Sequence, residues 1–247
     1  AFKTDARVAH LNPLLQKIDG PIPEGVEGVD ETLRNPWQKQ DPAAAAALLA
    51  EAGYPGGVDP ETGEPLTLTF DLSNSTSAQR QLGELLQADL AKIGIRVVIA
   101  LNSAPRFIEK IRQGRVQLFR YSWIGDYPDA ENFLQLFYSG NIGGCNRAAF
   151  SDPEFDRMYL RAAAMPDSPE RTALYREMAA KIVQDVPWIF EGRPISFQLK
   201  YDWLENYYPH DFAFCRWKYL AVRHGERAER RSRFRALDFS EMAGADQ

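Results

Sequence analysis

Between residues 66 and 101 the hydrophobic period changes twice, and few folds accommodate that order. Leu66, Leu68 and Phe70 alternate with threonines, as in a half-buried strand. Leu82, Leu85, Leu86, Leu90 and Ile93 then recur every three or four residues, which predicts a helix over 78–92. Gly94 stops that helix. Residues 95–101 follow as a near-continuous apolar strand of the kind that helices bury on both faces. Strand, helix and strand in this order predict parallel pairing through a crossover, and hence an α/β unit with a largely parallel sheet.

A local device extends the pattern along the chain. Asp41-Pro42, Asp152-Pro153 and Ser168-Pro169 each set an N-cap side chain before a proline at the first helical position. They predict helices that end near Gly53, Ala164 and Asp185. Pro105 opens a shorter helix to Gln113, and Asp129 is the expected cap of one over 130–138. Residues 116–123, 186–190 and 195–200 complete the predicted strands. Residues 1–40, rich in Pro and Gly, read as an irregular connector, and 41–200 as the α/β lobe. Residues 201–222 hold Trp203, Tyr207, Tyr208, Phe212, Phe214, Trp217 and Tyr219 with little periodicity. Such a stretch packs along a surface or crosses to another body. From 223 to 247 six arginines (Arg223, Arg227, Arg230, Arg231, Arg233, Arg235) make a separate tail, either a solvated helix or disordered.

Composition narrows the function classes. With 29 basic and 34 acidic residues the net charge is −5, which argues against a nucleic-acid partner. No apolar run approaches the roughly 18 residues of a membrane span. The two cysteines, Cys145 and Cys215, allow one disulfide or stand as two small buried hydrophobes. His10, His210 and His224 are scattered over loops and the tail, and no metal-ligand or nucleophile spacing is present. No catalytic residue, metal or cofactor is therefore assigned.

Chemistry concentrates in one stretch, Arg120-Tyr121-Ser122-Trp123-Ile124-Gly125-Asp126-Tyr127-Pro128-Asp129-Ala130-Glu131-Asn132-Phe133. It follows the predicted strand 116–123, at the carboxyl edge where open α/β sheets bind ligands. It offers a cation in Arg120, aromatic surface in Tyr121 and Trp123, and close backbone approach at Gly125. The acids Asp126, Asp129 and Glu131 are near one another in sequence, but an acid–base pair needs a reacting partner and none is nearby. Asp129 reads as a helix cap and Glu131 as a first-turn acid. Asp126, outside the helix, suits a cation such as an α-ammonium at about 1.5–3 kcal/mol per charge-assisted hydrogen bond. It also reads as a turn aspartate bonded to its own backbone.

Several motifs together resemble one family. They are Ala-Leu-Leu-Ala-Glu-Ala-Gly-Tyr-Pro at 47–55, Ala-Asp-Leu-Ala-Lys-Ile-Gly-Ile-Arg-Val at 88–97, and Trp-Ile-Gly-Asp-Tyr-Pro-Asp-Ala-Glu-Asn-Phe at 123–133. Phe-Ser-Asp-Pro-Glu-Phe-Asp at 150–156 and Asp-Val-Pro-Trp-Ile at 185–189 follow in the same order. The chain is similar to the C-terminal half of the family 5 extracellular solute-binding proteins, the peptide-binding components of bacterial ABC importers. The resemblance implies one lobe of a type II periplasmic-binding fold, with a mixed, mostly parallel sheet flanked by helices. It implies that 201–222 is a hinge-return segment that would pack on an N-terminal lobe missing from a fragment of this kind. A periplasmic or extracellular, membrane-associated setting and ABC permease subunits as partners are implied too.

The resemblance places a peptide's α-ammonium on Asp126 and its carboxylate on Arg120. Trp123, with Tyr121 and Gly125, would line the cleft, and Asn141 and Asn146 fall in the loop after the cleft helix. Ligands in the family extend to nickel complexes, haem, sugars and opines. A carboxylate-dependent hydrolase and a sensory domain on the same lobe are the other two readings. The Arg-rich tail departs from the family pattern.

Overall fold

The computed structural model describes residues 15–73, 76–210, 212 and 215–233. His10, Phe214 and the tail beyond 233 lie outside the described residues, as does the start of the 1–40 connector. The chain divides into two compact units, residues 1–195 and 196–247.

The first unit begins with β1 (Leu15–Gln16) and reaches α1 (Pro42–Glu51), where the Asp41 carboxylate accepts the Ala44 N–H at 2.9 Å. Strand β2 (Thr67–Leu72), helix α2 (Ser77–Ala91) and strand β3 (Arg96–Leu101) realise the strand–helix–strand unit. Helix α3 (Ala104–Arg112) then leads to β4 (Leu118–Phe119). The sheet order is β3-β2-β4, with both pairs parallel. Phe70, Leu72, Leu86, Leu90, Ile93, Ile95 and Val97 form its core, and Ala45, Ala46 and Leu49 of α1 pack against it.

Helix α2 and strand β3 meet at a turn that only glycine permits. Gly57 and Gly94 have φ of 77° and 84°, and a Cβ on Gly94 would stand 2.0 Å from the Gly56 carbonyl oxygen.

A short α4 (Glu131–Leu134) precedes the capped helices α5 (Pro153–Ala163) and α6 (Pro169–Asp185). The ring of Phe137 sits among Phe150, Phe155 and Trp188, with centroids 4.7–6.2 Å away. Strand β5 (Arg193–Pro194) pairs antiparallel with β1. The described part of the connector is thus knitted into the unit: Ile22 and Val26 are buried, and Gln38 Nε2 donates to the carbonyls of Ile18 (2.5 Å) and Phe190 (3.2 Å).

Four sequence expectations are corrected. Val98 and Leu101 are 42% and 40% exposed, so edge strand β3 is not buried on both faces. The strand expected over 116–123 keeps two ladder residues. The Gln117 side chain takes the Thr69 N–H at 2.7 Å, and the backbone from Arg120 onward leaves the sheet. Residues 186–190 are not a strand: Val186 ends α6 in the left-handed region (φ 53°), Pro187 has no N–H to donate, and Trp188 and Phe190 pack as rings. Residues 195–200 alternate like a strand but find no ladder, and Phe197 and Leu199 are exposed.

In the second unit β6 (Leu204–Glu205) pairs antiparallel with β7 (Ala221–Val222), and Trp203 is buried with the Tyr201 ring stacked on it at 4.3 Å. The described part of the Arg-rich segment holds α7 (His224–Arg231). Arg223 pairs with Glu205 and Glu226, Arg230 with Asp202 and Glu226, and Arg233 with Glu229. Cys145 is half-buried and Cys215 exposed, and both thiols are free. Neither the disulfide nor the pair of buried hydrophobes is realised.

Candidate functional site

In the order β3-β2-β4 the chain goes from β2 to one side and later returns on the other. The carboxyl ends of β2 and β4 therefore flank a topological switch point, where open α/β sheets leave a crevice. Asp71 pairs with Phe119 across this edge, so the segment from Arg120 to Asp126 emerges there. Beneath it Asp71, 1% exposed, accepts from Asn102 Nδ2 at 2.8 Å and from the Lys110 ammonium. A buried carboxylate is tolerable with donors of this kind and costly without them. The polar positions Asp71 and Asn102 within apolar strand ends were the only sequence signal of this brace.

The segment itself is organised by a residue that motif reading passed over. Asn132, on α4, is 1% exposed. Its Oδ1 accepts the indole N–H of Trp123 at 2.9 Å and the backbone N–H of Asp126 at 3.2 Å. One buried oxygen thus sets both the aromatic wall and the turn that presents Asp126. The only sequence sign was an amide standing directly before the apolar pair Phe133-Leu134. Trp123 is half-buried, Gly125 buried, and Asp126 exposed. Among the described residues, no side chain donates to the Asp126 carboxylate.

The neighbouring acids are engaged elsewhere. Asp129 Oδ1 accepts the Glu131 N–H at 2.8 Å, one residue off the expected cap position. Its Oδ2 pairs with Arg171 at 2.8 Å, and that guanidinium lies over the Tyr175 ring at 4.8 Å. Glu131 accepts from the hydroxyls of Tyr127 and Tyr159. Burial, and then this carboxylate, push both phenols above their usual pKa. Asp129 and Glu131 therefore serve as braces.

The remaining expected contacts are distributed unevenly. Arg120 Nε donates to Glu191 at 2.6 Å, so a ligand carboxylate there would compete with a resident one. Tyr121 is exposed, with the Arg147 guanidinium 6.0 Å from its ring centroid. Asn141 donates to the Gln135 carbonyl at 2.9 Å. Asn146 is buried and donates to the carbonyls of Tyr138 (3.0 Å) and Phe150 (2.9 Å), while its oxygen takes the Phe150 N–H at 3.2 Å. Both asparagines thus tie their own loop together, and Asn146 has no group left for a ligand. Burial raises the thiol pKa of Cys145, so it is no ready nucleophile. Among the described residues no group of three His, Cys, Asp or Glu side chains could hold a metal ion, and no helix is long and apolar enough to cross a membrane.

Residues 9–144 match the model of the bacterial extracellular solute-binding proteins, family 5. Di/tripeptide-binding protein 2 of Pseudomonas aeruginosa is 35% identical over 181 residues, which cover 72% of this chain and 32% of that protein. Heme-binding protein A of Haemophilus influenzae is 30% identical, with 72% and 31% covered. The chain thus spans about a third of the length of these curated relatives. Among solved structures, the periplasmic binding protein DppA from Helicobacter pylori, in complex with the peptide STSA, aligns with a TM-score of 0.68 at 25% identity, covering 78% of this chain and 36% of that one. The oligopeptide-binding protein AppA from Bacillus subtilis aligns with a TM-score of 0.75 at 18% identity, covering 90% and 45%, a likeness of fold. The mixed α/β architecture with its helix-flanked parallel sheet is that of periplasmic binding proteins.

Proposed function

Since the chain belongs to the bacterial extracellular solute-binding proteins of family 5, we propose that it is one lobe of the substrate-binding component of an ABC importer. The lobe captures peptides or peptide-like solutes and, with a second lobe outside these 247 residues, closes over them by hinge motion. The loaded protein then delivers its solute to permease subunits in the membrane, from the periplasmic or extracellular side. Residues 201–222 are the hinge-return segment, and the role is binding rather than catalysis.

One observation carries the reading. The Asp126 carboxylate is exposed and unpartnered among the described residues, while the buried Asn132 oxygen fixes its backbone and the neighbouring Trp123 indole. A pre-positioned anion beside an aromatic wall is complementary to an α-ammonium and loses little ordering entropy on binding. The names of the relatives, which include di/tripeptide-binding proteins and a glutathione-binding protein, agree with solutes of this kind. Backbone pairing with the peptide would leave its side chains free to vary.

The test is an NMR titration of the chain, which reads millimolar affinities. Trialanine should shift the Asp126 region, and N-acetyl-trialanine should bind at least about tenfold more weakly, as should trialanine to Asp126→Asn. Equal binding of both peptides, or an unchanged affinity in the variant, would overturn the assignment.

A further inference from the structure

Three arginines border the segment that carries Asp126, and they differ in what holds them. Arg120 is paired with Glu191 at 2.6 Å. Arg171 is paired with Asp129 at 2.8 Å and with Asp167 at 2.6 Å. Arg147 has no carboxylate or other hydrogen-bond acceptor among the described residues, and its Nη1 is sealed from solvent without a partner. What holds it is the Tyr121 ring, 6.0 Å from the guanidinium carbon, and the loop below, pinned by its neighbour Asn146.

A guanidinium carries five N–H donors in a planar fork and stays protonated in proteins. Packed against an aromatic face and half-buried, with Nη1 sealed, it presents the donors on Nε and Nη2 in a limited range of directions. An anion arriving at Arg120 must displace Glu191 or lie beside its negative charge. At Arg147 it meets a cation that no carboxylate among the described residues occupies. The two unpaired opposite charges, Asp126 and Arg147, are tied to one extended segment: Tyr121 precedes Asp126 by five residues, a span of at most roughly 18 Å. A molecule with an amine at one end and a carboxylate at the other, a few residues long, can reach between them.

We propose that Arg147, rather than Arg120, holds the carboxylate of a short zwitterionic peptide whose ammonium lies on Asp126, and that Glu191 withholds Arg120 from that task. The assignment rests on the peptide-binding reading above and adds the recognition of the second end. It makes the free carboxylate, and so a short peptide rather than a cation in general, the preferred ligand.

The experiment uses the ¹⁵N-labelled chain with trialanine and trialanine amide at millimolar concentration. Trialanine should shift the Arg147 Nε–H resonance and the amide should not. In Arg147→Gln the preference for trialanine over its amide should fall by about tenfold. In Arg147→Lys, which keeps the charge but loses the fork, part of that preference should remain. In Arg120→Gln it should stay as in the parent chain. An undiminished preference in Arg147→Gln, an equal loss for both peptides, or a preference abolished by Arg120→Gln would each overturn the proposal. Absence of any shift with either peptide in the parent chain would instead overturn the peptide-binding reading on which it stands.

Discussion

The strand–helix–strand unit over 66–101 and the segment 120–147 adjoin in the first unit, yet they are held by opposite means. The former is built from interchangeable apolar contacts: seven buried side chains form its core, and its parallel ladder runs the full length of β2 and β3. The latter has one four-residue α-helix, and its shape depends on single polar atoms: Asn132 Oδ1 under Trp123 and Asp126, Asn146 under Phe150, and Asp129 against Arg171. Apolar burial is non-directional and tolerates substitution of similar volume. A buried hydrogen bond specifies a direction, and its loss leaves a stranded partner. The lobe thus places adaptable packing beneath and exact polar geometry at the candidate binding edge.

Four substitutions sharpen or break that contrast. Leu86→Ala, in the buried apolar core, should destabilise by about 2–5 kcal/mol in urea denaturation. If the chain remains folded, the Asp126 region should keep its chemical shifts. Asn132→Leu, similar in size but without an acceptor, strands two donors at about 1–3 kcal/mol each. Unlike Leu86→Ala, it should also weaken trialanine binding about tenfold while the sheet's amide shifts stay fixed; loss of stability without loss of binding would erase the distinction drawn here.

Asp152→Ala removes the N-cap of α5 and should cost about 1 kcal/mol at pH 7. The Phe155 N–H, and then Lys181, hold the Asp152 carboxyl below its ordinary pKa. A depressed carboxyl pKa stabilises the fold above the unfolded value, about 3.9, and that contribution disappears as the pH falls through the folded value. The gap between parent and variant should therefore be full at pH 7 and shrink in acid, as denaturation at a series of pH values would show. The smallest effect belongs to Arg120→Gln. It breaks a partly exposed ion pair with Glu191 and should change stability by no more than about 1 kcal/mol.

Legibility from sequence followed the same division. The caps Asp41, Asp152 and Ser168 with their prolines located α1, α5 and α6, because capping is decided within four residues. The strands expected at 186–190 and 195–200 did not form, because a strand exists only through a partner, and alternation such as Ile195, Phe197, Leu199 says nothing of one. At the candidate site the motif 120–133 was visible, but its organisation was not. Arg171 reaches Asp129 from 42 residues away and Glu191 reaches Arg120 from 71, separations that carry no local pattern. Asn132 lies within the motif, but an amide between Glu131 and Phe133 resembles any surface residue until its burial is known.

The sharing of one Asn132 oxygen between an indole and a backbone amide has a practical consequence. Any displacement of the Asp126 turn must strain or lengthen the Trp123 hydrogen bond, so the two cannot relax independently. The Trp123 indole proton is therefore a built-in gauge of the turn: a ligand seated on the carboxylate should move its resonance even without touching the ring. Occupancy of the candidate site could then be followed in the unmodified chain, with no label attached at the cleft.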